Sequence, residues 1–172
     1  MSGTGLNDDL NGIERPVSFE IKDMGGRKAE IVHSLAKWKR MKLAQMGVRP
    51  GRGIYTDMNA LRPDEELDNI HSIYVDQWDW EKVILPQQRN LAFLKNTVRR
   101  IYEAVKVTEN KLFVDFPQLV PVLPDDIYFI HSEELLRMYP DLSPKEREDA
   151  VTRLHKAVFI IGIGGPLSDG TV

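Results

Sequence analysis

The sequence predicts an α+β fold in which an antiparallel sheet is flanked by helices, and three stretches carry that prediction. Residues 73–80 alternate side to side, with Ile73, Val75, Gln77 and Asp79 on one face and Tyr74, Asp76, Trp78 and Trp80 on the other, which is the period of a β-strand. Residues 54–61 form a second strand-like run, separated from the first by Pro63 and an acidic loop at residues 65–68. Those two runs read as an antiparallel pair. Residues 86–109 then place Leu91, Leu94, Val98, Ile101, Tyr102 and Val105 on one helical face, with Arg89, Lys95, Arg99 and Lys106 opposite, the pattern of an amphipathic helix with a solvated basic side.

Taken in order, residues 1–16 are rich in Gly, Asn and Asp and read as loop, with Leu10 and Ile13 as the main apolar anchors. The Asp8–Asp9 pair in that loop is either solvated or set to hold a cation or amine. Residues 17–21 alternate as a short strand with Val17, Phe19 and Ile21 inward. Gly25 and Gly26 make a turn that sets residues 29–32 as its hairpin partner. A helix follows over residues 34–44, with Ser34 as N-cap and Gly47 as stop. Its Lys37, Lys39, Arg40 and Lys42 form the most basic patch in the chain, either a solvated face or an anion site. Residues 47–53 are a Gly-rich basic loop without the spacing of a P-loop or a dinucleotide-binding turn.

The strand at 73–80 poses a physical question. Gln77 and Asp79 share a face with Ile73 and Val75, so either they are buried and need partners or the strand crosses from core to solvent and wets them at its end. Beyond the long helix, prolines at 117, 121 and 124 exclude regular structure over residues 116–124. Residues 127–130 form a short strand, and Ser132 caps a short helix that ends before Pro140. Ser143-Pro144-Lys145-Glu146 is a capping box with proline at the first helical position, which starts a helix over residues 144–155. Residues 157–163 are the most hydrophobic run and read as a central strand buried on both faces. Residues 164–170 are turn chemistry.

The chain has 172 residues and reads as a single domain, with 23 Lys plus Arg against 26 Asp plus Glu and no cysteine. That balance lacks the footprint of a nucleic-acid binder. The absence of cysteine excludes a disulfide scaffold, a thiolate nucleophile and a thiolate metal site. No apolar run approaches membrane length and no signal-peptide core begins the chain, so a cytoplasmic protein is expected.

Five blocks together, TGLNDDLNG at residues 4–12, VHSLAKWKR at 32–40, ALRPDE at 60–65, HSIYVDQWDWE at 71–81 and IGIGGPLSDG at 161–170, resemble in order the ammonia-dependent asparagine synthetases, or aspartate–ammonia ligases. The resemblance runs almost the whole length, and its tryptophan-rich blocks are long. It implies the catalytic-domain fold of a class II aminoacyl-tRNA synthetase, incomplete here, with residues 61–65 resembling motif 2. It implies that aspartate and ATP, with Mg2+, give β-aspartyl-AMP and pyrophosphate, and that ammonia then displaces AMP.

Carried over by position, the resemblance sets Asp8, Lys39 and Gln77 on aspartate, with Asp8 also receiving ammonium. It sets Arg62 on the α-phosphate, and Ile70, Val75 and Asp79 beside ATP, while Asp8 and Arg62 serve the chemistry. Family members are homodimers and about twice as long. The expectation is therefore a partial catalytic domain over residues 1–172, lacking the motif 1 segment, motif 3 and the magnesium ligands; Pro166 stands where the family pattern has lysine. Two other readings differ in class. One is a non-catalytic truncated paralogue that binds aspartate or pairs with a full-length subunit. The other is a synthetase-like protein acting on tRNA, which the missing anticodon-binding domain and basic surface disfavour.

Overall fold

Residues 15–170 are described by the computed structural model of the chain, and they divide after Pro86 into two compact units. The expectations for residues 1–14, Asp8 among them, lie outside the described residues.

The first unit opens on a small hairpin. Strand β1 (Ser18–Ile21) pairs antiparallel with β2 (Arg27–Glu30), from Ser18 opposite Glu30 to Ile21 opposite Arg27. A 3-10 turn at Lys22–Met24 leads into Gly25 and Gly26, at φ 66° and 77°. Two successive left-handed residues are cheap only for glycine, so the predicted turn stands, although β2 begins two residues early. Phe19 departs from its inward assignment and is exposed. A two-stranded hairpin this short encloses too little to cover a phenyl ring.

Helix α1 (Ala36–Gln45) starts one residue later than Ser34 as N-cap requires: Leu35 occupies the cap, and the Ser34 hydroxyl instead accepts the Ala36 N–H at 3.0 Å. Its end follows the sequence. Gly47 takes φ 59°, its N–H reaches Ala44 O, and Val48 N–H reaches Leu43 O. These paired bonds form a Schellman closure that satisfies the last carbonyls.

The dominant element of this unit is the antiparallel hairpin of β3 (Gly53–Leu61) and β4 (Tyr74–Lys82), with Gly53 opposite Lys82 and Leu61 opposite Tyr74. Gly53 is required at the ladder end, because a Cβ there would run into Glu81 O. Burial alternates along both strands, as predicted for β4. Ile54, Thr56, Met58 and Ala60 share the covered face with Val75, Gln77, Asp79 and Glu81, and α1 reaches that face through ion pairs to Asp79 and Glu81. The opposite face presents Tyr55, Tyr74, Trp78 and Trp80. Ile73 precedes the strand and is exposed, correcting its place among the core aliphatics; what it contributes is a carbonyl that accepts the Arg62 N–H at 2.8 Å.

In the second unit the long helix α2 is Leu91–Asp115, later in start and end than residues 86–109. Pro86–Gln88 form a 3-10 turn, and Asn90 is the N-cap, accepting the Phe93 N–H at 2.9 Å. Pro117 sets the end, because the residue before a proline is pushed out of the helical region. Val98 and Tyr102 are buried, whereas Leu91, Ile101 and Val105 from the same apolar stripe are exposed. Residues 116–127 are irregular, as their prolines require.

Strand β5 (Tyr128–His131) leads into α3 (Ser132–Met138), whose N-cap is His131 rather than Ser132: His131 Nδ1 accepts the Glu133 N–H. Helix α4 (Pro144–His155) carries the full predicted capping box. Strand β6 (Val158–Ile161) then pairs with β5 in parallel, not antiparallel. The two intervening helices bring the chain back in the same direction, the usual crossover for parallel strands. Strand β6 is thus half of a two-stranded pair, only partly covered, and Ile163 is exposed beyond it. The core of this unit is Ile130, Leu135 and Val151, with Tyr128, Tyr139, Val158 and Ile160 against it. No helix among the described residues is long and apolar enough to cross a membrane.

Candidate active site

The covered face of the β3–β4 hairpin holds the polar residues that the sequence left without partners. Lys39, in the first half of α1, is fully buried and forms an ion pair with Asp79 Oδ2. Its ammonium takes no hydrogen bond among the described residues, so donor capacity on a three-donor group is left over at a buried position. Gln77 lies two residues before Asp79 on the same face, opposite Met58, a step of about 7 Å along a strand. Val75 lies one step further, opposite Ala60. Lys39, Asp79, Gln77 and Val75 therefore form a row on one surface.

Arg62 follows directly on β3, at the end of the row nearest Val75. Its backbone N–H is held by Ile73 O, and its guanidinium lies 3.8 Å from Glu65. Its Nε is buried with no hydrogen-bond partner among the described residues. Lys39 and Arg62 are thus two cations at opposite ends of one row, each with a nitrogen that lacks a hydrogen bond. Ile70, in the loop after Arg62, is exposed and does not join them.

Polar contacts shape that loop. Asp68 accepts the Ile70 and His71 N–H groups and His71 Nδ1, each at 2.8 Å, and these bonds, the Ile70 N–H first, hold its carboxyl below the usual range. Asp64 takes the Arg15 guanidinium on both oxygens and the Arg15 N–H at 3.2 Å. The Arg15 side chain, then its backbone N–H, lower the Asp64 carboxyl in turn. A group depressed in the folded state stabilises above its unfolded pKa and loses that contribution as pH falls through the folded value. Loosening of residues 62–71 is therefore expected below the ordinary carboxylate range. Hydrogen exchange against pH reads it, and no change in that loop down to about pH 3, well below the ordinary value, counts against the clamp.

The basic patch of α1 resolves residue by residue. Lys39 turns inward to Asp79; Arg40 pairs with Glu81 at 3.1 Å; Lys42 sits 5.7 Å above the Trp38 ring. Among the described residues no three His, Cys, Asp or Glu side chains gather into a metal site.

The family model described as Aspartate-ammonia ligase matches residues 1–172. The chain belongs to the aspartate–ammonia ligase family. An aspartate–ammonia ligase of Bacteroides fragilis is 61% identical over 170 residues, covering 99% of this chain and 49% of that protein. One from Clostridium perfringens is 60% identical over 168 residues, covering 98% of this chain and 50% of its own length. One from Ruminiclostridium cellulolyticum is 55% identical over 167 residues, with 97% and 50% covered. The chain spans about half the length of the curated relatives it matches.

Four residues around this cluster in the aspartate–ammonia ligase family chain were not singled out from the sequence. Glu81 was within reach of it, since the alternation that places Asp79 on the covered face places Glu81 there too. Glu65 was read as part of an acidic loop and of the stretch resembling motif 2, without a role of its own. Arg15 and His33 carry no local signal, because Arg15 meets Asp64 across 49 residues and His33 meets Arg15 across 18.

Proposed function

We propose that the site serves an aspartate–ammonia ligase reaction, in which aspartate, ATP and ammonia give asparagine, AMP and pyrophosphate. The observation that supports it best is the buried Lys39 ammonium paired with Asp79, on the covered face that also carries Gln77 and ends at Arg62. In this reading Lys39 and Gln77 hold aspartate and Arg62 holds the α-phosphate, with Val75, Asp79 and Ile70 on the ATP side.

The chemistry asks for that arrangement. An oxygen of the β-carboxylate attacks the α-phosphorus, the bond to pyrophosphate breaks, and β-aspartyl-AMP forms. Two anionic groups must meet, and fixed cations in a water-poor pocket offset their repulsion. Asp8 receives ammonium and takes its proton. Free ammonia then attacks the β-carbonyl, AMP departs with the electron pair of the carbon–oxygen bond, and the nitrogen's surplus proton passes to the departing AMP phosphate or to water. Mg2+ belongs to this reading as the companion of the ATP phosphates, and none of these residue roles depends on it.

The same reading makes the β3–β4 hairpin the motif 2 hairpin of a class II aminoacyl-tRNA synthetase-like catalytic domain, with both units in one domain of a cytoplasmic homodimer. The test is pyrophosphate release from ATP on adding aspartate, Mg2+ and ammonium to the purified chain, with hydroxylamine as an alternative nucleophile. Aspartate-dependent release supports the reading. Aspartate binding without release points instead to a non-catalytic binding protein.

Gln77 has a narrower expectation. Because it lies on the Lys39 side of the row, Gln77→Ala is expected to weaken aspartate binding about tenfold, the worth of one hydrogen bond to a charged group, and ATP binding much less. Titration calorimetry separates the two ligands, and an equal loss of both would make Gln77 structural.

A further inference from the structure

The contacts around Arg15 connect two parts of the site that the hairpin alone holds only loosely. Its guanidinium and backbone N–H take the carboxylate of Asp64, two residues past Arg62. Its carbonyl takes Nε2 of His33 at 3.1 Å, which assigns the ring hydrogen to that nitrogen. His33 is buried, 1% exposed, three residues before α1 begins. A chain of contacts therefore runs from the entrance of the Lys39 helix, through Arg15, to the loop that carries Arg62.

We propose that Arg15 is a positioning residue, which fixes the Arg62 loop relative to the Lys39 helix and so sets the spacing between the two cations of the site. The loop's other bonds are local, from Asp68 to Ile70 and His71 and from Arg62 to Ile73 and Glu65. Pro63, Glu66, Leu67, Asn69 and Ile70 are all exposed, so its orientation depends on polar contacts rather than burial. A guanidinium that spans both carboxylate oxygens fixes direction as well as distance. The Arg15 side chain is itself 79% exposed, and exposed ion pairs add little to global stability. Its consequence is local: it orients the loop.

The catalytic part of this inference rests on the proposed reaction, in which Lys39 faces aspartate and Arg62 faces the α-phosphate. Displacement of about an ångström between reacting groups is enough to cost rate.

The test uses Arg15→Gln, Arg15→Lys and Asp64→Asn in the 172-residue chain. Hydrogen exchange of residues 62–73 is expected to rise roughly two- to fivefold in Arg15→Gln and Asp64→Asn, the scale of an exposed but well-oriented pair. Arg15→Lys, which keeps the charge and loses the fork, should fall between. Exchange in α4 should stay unchanged. In aspartate-dependent pyrophosphate release, kcat should fall more than either KM rises. Unchanged exchange over residues 62–73 overturns the proposal, as does a rise spread evenly through α4. Failure of the reaction reading looks different: exchange rises in the loop alone, while even the unsubstituted chain releases no pyrophosphate.

Discussion

Arg62→Ala is expected to remove aspartate-dependent pyrophosphate release by at least about a hundredfold, the scale of losing a fixed cationic donor to transition-state charge, while leaving the hairpin folded. The separation follows from what each part of Arg62 does. Its backbone N–H, bonded to Ile73 O, closes the loop onto β4, and alanine keeps that bond. Its side chain has a single described charge partner, Glu65, at the long distance of 3.8 Å, and its Nε has no hydrogen bond among the described residues. Truncation thus removes little that holds the fold, and the stability change should stay within about 1 kcal/mol. It removes the cation expected against the α-phosphate, where a second anion, the aspartate carboxylate, must approach. Pyrophosphate release and thermal unfolding, measured on the same preparation, read the two effects apart. Undiminished release would take Arg62 out of the phosphate site, and a large fall in stability would make it a structural arginine.

What could be read from the residues divides along the range of the interactions involved. The β3–β4 pair was legible because a half-covered strand writes its burial into every second residue, and the capping box wrote the start of α4 into four consecutive residues. The Gly47 stop is local in the same way. Errors appear where a residue's fate depends on something distant. Phe19 has an inward pattern, but it is exposed on its short hairpin. Helix α2 has a continuous apolar stripe, of which only Val98 and Tyr102 are buried. The parallel pairing of β5 with β6 depends on the path taken by two helices between them, which no strand pattern records.

The site shows the same division. Lys39, Gln77 and Asp79 were named by family resemblance, and the alternation alone left Gln77 and Asp79 either buried with partners or wetted at the end of the strand. That Asp79 and Lys39 are partners to each other came from the packing of α1. The Arg15–Asp64 clamp was invisible, since an exposed arginine and an exposed aspartate 49 residues apart resemble any other surface charges.

Asp79→Asn is expected to destabilise the chain by about 3 kcal/mol, and Lys39→Met by less than about 1.5 kcal/mol, although each breaks the same ion pair. The asymmetry comes from burial. The Lys39 side chain is 0% exposed and that of Asp79 34%. Removing the carboxylate charge leaves an ammonium buried with no hydrogen bond and no counter-charge, the costly way to break a pair. Removing the ammonium leaves a carboxylate that water can reach, and methionine fills the lysine channel with an unbranched chain of similar length. The double variant should therefore be more stable than Asp79→Asn alone, and urea unfolding of all four proteins closes the cycle. Equal losses from the two single variants would contradict the burial argument. Function should rank them differently, because the proposed aspartate site needs the ammonium itself. Lys39→Met is expected to be the better-folded single variant yet to lose aspartate binding most completely. A buried lysine with one carboxylate and an unused donor costs stability that a methionine would not, and a site for an anionic substrate is a physical reason to keep it.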